Sequence, residues 1–211
     1  MTQAEQAAAT SPATIPVRRV TDADRPRVNA VMARAFDDDP VCNWIANQDD
    51  RRSQRIADFL RIGLEKLTLP FGECYTTDDI QGGAYWNPPG TWKLGLLQQL
   101  LMLPDMARIA GWRRLPKIIP AIDKLEKRHP QKPHYYLLAL GVEPELQGRG
   151  IGTQLMQPIL ERCDRDRMPA ALESSKERNV LLYERNGFKV TEVFDIPHGG
   201  PPVWLMWREP Q

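Results

Sequence analysis

This chain has little of several things that would narrow its chemistry quickly. It has three cysteines in 211 residues, Cys42, Cys74 and Cys163, set far apart. That spacing closes no disulfide set and forms no CxxC pair, so neither a stapled scaffold nor a cysteine metal site is expected, and a reducing interior suits it. The three histidines, His129, His134 and His198, have no ligand spacing and read as structural or exposed; no bound metal is expected. Net charge is scarce, since 28 basic against 27 acidic residues leave +1. No sequence-wide field therefore calls for nucleic acid or membrane as a partner. Long apolar runs are missing too. The most apolar stretch, Leu94 to Leu103, is broken by glutamines and ends at Pro104, too short to cross a bilayer. Met1 to Gln6 lacks the basic start and apolar centre of a secretion signal, and a cytoplasmic location is expected.

What is present is an ordered alternation of elements. At 211 residues the chain fits one compact domain with a sizeable core. Residues 1–14, rich in Ala, Gln and Thr, are expected to form a tail. Pro16 to Val20 reads as a strand, and Thr21 as an N-cap before the apolar stripe Val28, Val31, Met32, Ala35 and Phe36. Asp39-Pro40 starts a short helix, and Ile56, Phe59, Leu60 and Leu67 mark a longer one. Phe71 to Thr77 and Ile80 to Trp86 form a hairpin across Asp78-Asp79.

Residues 91–130 are a helical block cut by Pro104, Pro116 and Pro120, able to cover a groove or make a dimer contact. A strand over His134 to Val142 follows, then a helix with Ile151, Leu155, Met156, Ile159, Leu160 and Cys163 inward, kinked at Pro158. Ala170 to Glu173 is a short strand, and Ser174 with Glu177 forms a capping box for a helix that stops at Asn186-Gly187. Phe188 to Asp195 and Val203 to Trp207 are the last strands. The fold class is mixed α/β (α+β) in one domain, with antiparallel pairs early and late and a βαβ unit between.

The segment Gln147-Gly148-Arg149-Gly150-Ile151-Gly152 carries the most chemical information. Glycines at every second position, where a strand gives way to a helix, free backbone N–H groups to cup a phosphate at the positive helix end. A dinucleotide fingerprint needs glycine at position 153, which is Thr153, although Glu173 mimics that fold's ribose-binding acid. The turn also lies about sixty residues from the last residue, too few for the remaining βαβ units. No Gly-Lys-Ser/Thr closes a Walker loop. A ligand-free turn is the bland alternative.

This turn resembles the Q/R-x-x-G-x-G/A acetyl-CoA motif of the GNAT N-acetyltransferase superfamily, and the wider run resembles its puromycin N-acetyltransferase-like group. The likeness extends through Tyr136 to Val142, Leu172-Glu173-Ser174-Ser175, Arg178-Asn179, Tyr183 to Phe188 and Trp204 to Arg208. It is weaker over Val17 to Trp44 and thin over residues 91–130. The resemblance implies a single GNAT domain over residues 15–209, with a sheet splayed open at the strand before the glycine turn. Acetyl-CoA would be the co-substrate and a small-molecule amine, puromycin-like or otherwise toxic, its partner. The protein itself would be a monomer or homodimer.

In that reading the pantetheine arm pairs with the edge formed by Leu140, Gly141 and Val142, and Pro144 suits an end to sheet pairing nearby. The pyrophosphate rests beside Gln147 on the amides of Gly148, Arg149, Gly150, Ile151, Gly152 and Thr153. Arg149 adds a charge contact or is simply solvated. The N–H of Val142 is the oxyanion donor. Asn179 would bind the pantetheine amides, and Tyr183, four residues on and on the same helical face, would protonate the departing thiolate.

The base depends on the amine. With a pKa of about 10.4, roughly one lysine-like amine in two thousand is neutral near pH 7, a deficit of about 4.6 kcal/mol, whereas an α-amino group loses under about 1 kcal/mol. Glu173 is the candidate base, its alternatives being an anchor for the amine or a plain helix-flank carboxylate. For the amine's pocket the candidates are Phe36, Asp37 and Asp38, with Trp44 and Trp86 nearby; Asp39 reads as an N-cap. The rival functions are a non-catalytic acyl-CoA sensor and a protein N-acetyltransferase.

Overall fold

The computed structural model describes residues 15–211, so the expected tail over residues 1–14 lies outside the described residues. The strands are β1 Val17–Arg19, β2 Cys74–Thr77, β3 Gly82–Asn87, β4 Tyr135–Val142, β5 Ala170–Ser174, β6 Lys189–Asp195 and β7 Pro202–Arg208. They form one seven-stranded mixed sheet in the order β1-β2-β3-β4-β5-β7-β6. The α-helices are α1 Arg25–Ala35, α2 Pro40–Ile45, α3 Arg52–Ile62, α4 Leu96–Ala110, α5 Leu115–Arg128, α6 Ile151–Arg165 and α7 Glu177–Arg185.

Periodicity decides which face each helix covers. The α1 stripe Val28, Val31, Met32 and Ala35 is buried, and with Ile56 and Leu60 of α3 it packs against Tyr85 and Ala139 on one face of the sheet. On the other face, Leu155, Met156, Ile159 and Cys163 of α6 pack against Ala84, Trp86, Leu137, Leu172 and Met206. Both faces of β3 are covered, and all six of its residues are buried. Each large apolar side chain so enclosed contributes about 1.5–3 kcal/mol.

Several local expectations are corrected. Pro104 and Pro120 lie inside unbroken α4 and α5, and Pro116 falls in the first turn of α5, where no N–H is required. Each interior proline loses one backbone bond, which burial of Ala107, Ile109 and Ala110, and of Ile118 and Ala121, offsets. α6 runs from Ile151 to Arg165 with Pro158, the position expected to kink it, inside. The N-cap of α7 is Lys176; Ser174 donates its hydroxyl to the Lys176 carbonyl at 2.9 Å and forms no capping box. Gly187 ends α7 at φ +87°, as its glycine requires.

Candidate active site

The sheet opens at its centre. β4 and β5 run parallel but pair only at Tyr135–Ala170, Tyr136–Ala171 and Leu137–Leu172. Beyond them a groove of about 560 Å³ lies between the two strands, reaching Phe36 on one side and α6 and α7 on the other. On its other edge β4 stays paired with β3 to Gly82–Val142, with one irregularity that skips Leu138. Skipping one residue re-phases the strand. Leu140 and Val142 thereby share the α6 face with Leu137, while Ala139 faces α1 and α3.

Strand geometry fixes where the free backbone groups point. Glu143 donates its N–H to the Gln81 carbonyl at 2.8 Å, on the β3 side. Alternation along an antiparallel strand sends Gly141 the same way and turns the N–H groups of Val142 and Leu140 toward the open groove. Gln147 donates from Nε2 to the Val142 carbonyl at 3.1 Å, tying the strand end to the turn. Gly141 has no room for a side chain. A Cβ there would lie 2.7 Å from Met32 Sδ and 3.0 Å from the Ala35 Cβ, so glycine is what lets α1 sit against β4.

The glycine turn has the form of an anion cradle. Gly148 and Gly150 adopt φ +78° and +82°, and space around both is open, so backbone conformation and not crowding demands glycine. Gly150 is the N-cap of α6, whose first amides, Ile151, Gly152 and Thr153, have no partner within the helix. Gly148, Gly150, Ile151, Gly152 and Thr153 line the groove; Arg149 is exposed and does not.

Two side chains of α7 face the same space. Asn179 and Tyr183 line the groove, and neither side chain hydrogen-bonds to protein among the described residues. Free polar groups beside an open strand edge and an anion cradle fit the pantetheine and phosphates of a coenzyme A thioester. Tyr183 is buried and packs edge-on against Phe188. Burial, then the charge of Asp39, raises its phenol pKa, so it holds its proton at neutral pH.

Glu173, at the end of β5, also lines the groove. His129 Nδ1 lies 2.8 Å from its Oε1, whereas its Oε2 is buried without a partner. His129 Nε2 in turn meets His134 Nε2 at 2.9 Å. Nothing in the sequence spacing of Glu173, His129 and His134 connects these groups. Both rings are buried, in a chain leading to the candidate base.

The acceptor side is corrected most. Phe36 lines the groove. Asp37 does not; it accepts from Arg52 at 2.6 Å on the surface. Asp38 is held by Lys176 and by Arg178, the latter at 2.7 Å, so its charge is already matched and it latches the α1–α2 loop to the start of α7. Trp86 is wholly buried in the α6-side core and presents no surface to a ligand. Trp44 packs among Ala107, Ala110, Leu115 and Ile118, away from the groove. Asp39 caps α2, accepting from the Cys42 N–H at 2.9 Å, and also accepts from the Ser175 hydroxyl.

The model of the acetyltransferase (GNAT) domain family matches residues 119–190, the span from α5 through the turn to the start of β6. That match covers about a third of the chain and includes the glycine turn, β5 and α7. Its fold has the same shape as a structure from Corynebacterium glutamicum described as histone acetyltransferase HPA2 and related acetyltransferase, with TM-score 0.73, 24% identity, and 94% and 97% of the two chains covered. The polyamine N-acetyltransferase of Drosophila melanogaster, which forms N-acetylagmatine, superposes with TM-score 0.62 at 16% identity, over 92% of this chain and 99% of that one. In sequence, the chain is 26% identical over 207 residues to an uncharacterised N-acetyltransferase of Schizosaccharomyces pombe, covering 92% of this chain and 83% of the relative.

Proposed function

We propose that this protein is a GNAT acetyltransferase that moves the acetyl group of acetyl-CoA directly onto the amine of a small molecule held in the same groove. One observation carries the reading. Two groups suited to proton transfer line a groove whose strand edge is open: the Tyr183 hydroxyl, without a protein hydrogen bond among the described residues, and the carboxylate of Glu173. The Drosophila comparison enzyme, a polyamine N-acetyltransferase that forms N-acetylagmatine, favours a small amine as acceptor.

The residues divide the reaction among them. The Val142 N–H stabilises the carbonyl oxygen as the amine nitrogen attacks the thioester carbon. Glu173 Oε2 takes the nitrogen's proton. The C–S bond then breaks and negative charge moves to sulfur. Free tyrosine, near pKa 10, is already a weaker acid than a thiol near 8.5, and burial widens that gap. Tyr183 therefore stabilises the leaving sulfur chiefly by donating a hydrogen bond. Overall one proton passes from nitrogen to sulfur.

The test is release of free thiol from acetyl-CoA with a panel of amines: agmatine, polyamines, arylalkylamines, puromycin and an N-terminal peptide. Turnover with a small amine is the expected result. Coenzyme A binding without turnover of any amine would favour a sensor, and turnover of the peptide alone a protein acetyltransferase.

A further inference from the structure

The surroundings of Glu173 carry a step that rests on the proposed reaction and extends it. Three hydrogen bonds run from the carboxylate into the chain before β4: Glu173 Oε1 to His129 Nδ1 at 2.8 Å, His129 Nε2 to His134 Nε2 at 2.9 Å, and His134 Nδ1 to the Lys132 carbonyl at 2.6 Å. Each bond holds one proton. A carbonyl only accepts, so His134 Nδ1 carries a hydrogen. Burial lowers the His134 pKa and favours its neutral ring, whose Nε2 then accepts from His129 Nε2–H. Three protons on one carboxylate and two imidazolates give zero net charge, which suits a buried trio.

The rings are boxed by aromatics. Trp92 lies 3.9 Å from the His129 ring, Tyr136 meets that ring edge-on at 4.6 Å with its hydroxyl turned to Glu173, and Trp207 meets His134 at 5.4 Å. Glu126 of α5 and Lys93 are charges nearby, while Arg128 is turned to Glu192 at 3.0 Å.

We propose that His129, oriented by His134, is a positioning residue for Glu173: it occupies Oε1, leaves Oε2, beside the neutral Tyr136 hydroxyl, to meet the acceptor amine, and takes up the positive charge of the transferred proton. As the amine N–H bond breaks, its proton bonds to Oε2, and the proton between Oε1 and Nδ1 settles on Nδ1. Glu173 is then a neutral acid and His129 an imidazolium. The trio rises from three protons to four and from charge zero to +1. Its far end is a carbonyl with no onward site, so the proton leaves by way of Oε2.

With three histidines in the chain, nitrogen-15 NMR of the imidazoles in the full-length protein tests the arrangement directly. The native protein should show one strongly deshielded proton shared between Glu173 and His129, and His134 protonated on Nδ1. Glu173→Gln should abolish that proton and release the His129 tautomer. Ring shifts unchanged by Glu173→Gln would overturn the proposal, whether or not any amine is acetylated.

Kinetics give the second arm. His129→Ala should lower kcat about 30-fold or more with an alkylamine but only about threefold with an amine already neutral at the assay pH, KM for acetyl-CoA staying within about twofold. His129→Asn, which keeps an N–H for Oε1, should recover about tenfold. His134→Asn, a milder change, should shift kcat the same way should His129→Ala fail to fold. Equal losses with both amines would overturn the positioning role.

Discussion

At the scale of single residues, burial determines what each titratable group does. Tyr183 holds its proton because its side chain is buried and the charge of Asp39 is near. Tyr183→Phe should therefore lower kcat by about 10- to 100-fold while leaving coenzyme A affinity within about twofold, since a hydrogen bond to developing charge is lost but little ground-state binding. Unchanged kcat would remove Tyr183 from the reaction. Burial also protects the thiols. It pushes Cys74 and Cys163 up to about 12 and Cys42 well above its ordinary value. A thiol-specific reagent at pH 8 should thus react with the folded chain at least about 100-fold more slowly than with the unfolded one. The linkage has a definite sign. The folded chain keeps protons that the unfolded thiols release, so stability should fall as pH rises above about 8.5, as thermal melts at pH 8 and 10 would show. Melts indifferent to that range would contradict it.

At the scale of elements, one glycine sets the spacing between α1 and β4. A methyl group at Gly141 would sit within 3.1 Å of Met32, Ala35 and Phe36 at once. Gly141→Ala should cost about 1–3 kcal/mol in denaturant unfolding and weaken the acceptor more than the donor, because α1 carries Phe36 into the groove. A variant as stable as the native chain would show that α1 yields freely. This element also shows where sequence is legible. The turn from Gln147 to Thr153 was readable because its chemistry is local: two glycines need left-handed backbone, and the helix start is adjacent. The irregularity at Leu138 was not, because Leu137-Leu138-Ala139-Leu140 is apolar throughout and offers no alternation to break. Trp86 and Trp44 misled for a different reason. An aromatic near a site in sequence is equally suited to core, and β3 at the centre of a doubly covered sheet leaves no alternative.

At the scale of the whole molecule, function depends on contacts that span the chain. Glu173 meets His129 across 44 residues, and the partner rings flank Pro130 and Pro133, a spacing without any known ligand pattern. Only the fold, by laying α5's end beside β5's end, joins them. The same holds for Asp38, tied to Lys176 and Arg178 from 138 and 140 residues away. The sheet is continuous from β1 to β6 except where β4 and β5 part, and that interruption, between α6 and α7 on one side and Phe36 on the other, is where the proposed reaction seats its thioester.

Residue-resolved amide hydrogen exchange, with and without acetyl-CoA, measures this claim most directly. Exchange should slow at Leu140 and Val142, whose N–H groups face the opening, and at Gly148 to Thr153, with β6 and β7 unchanged. Protection confined to other strands, or none at Leu140 and Val142 under saturating donor, would contradict the account.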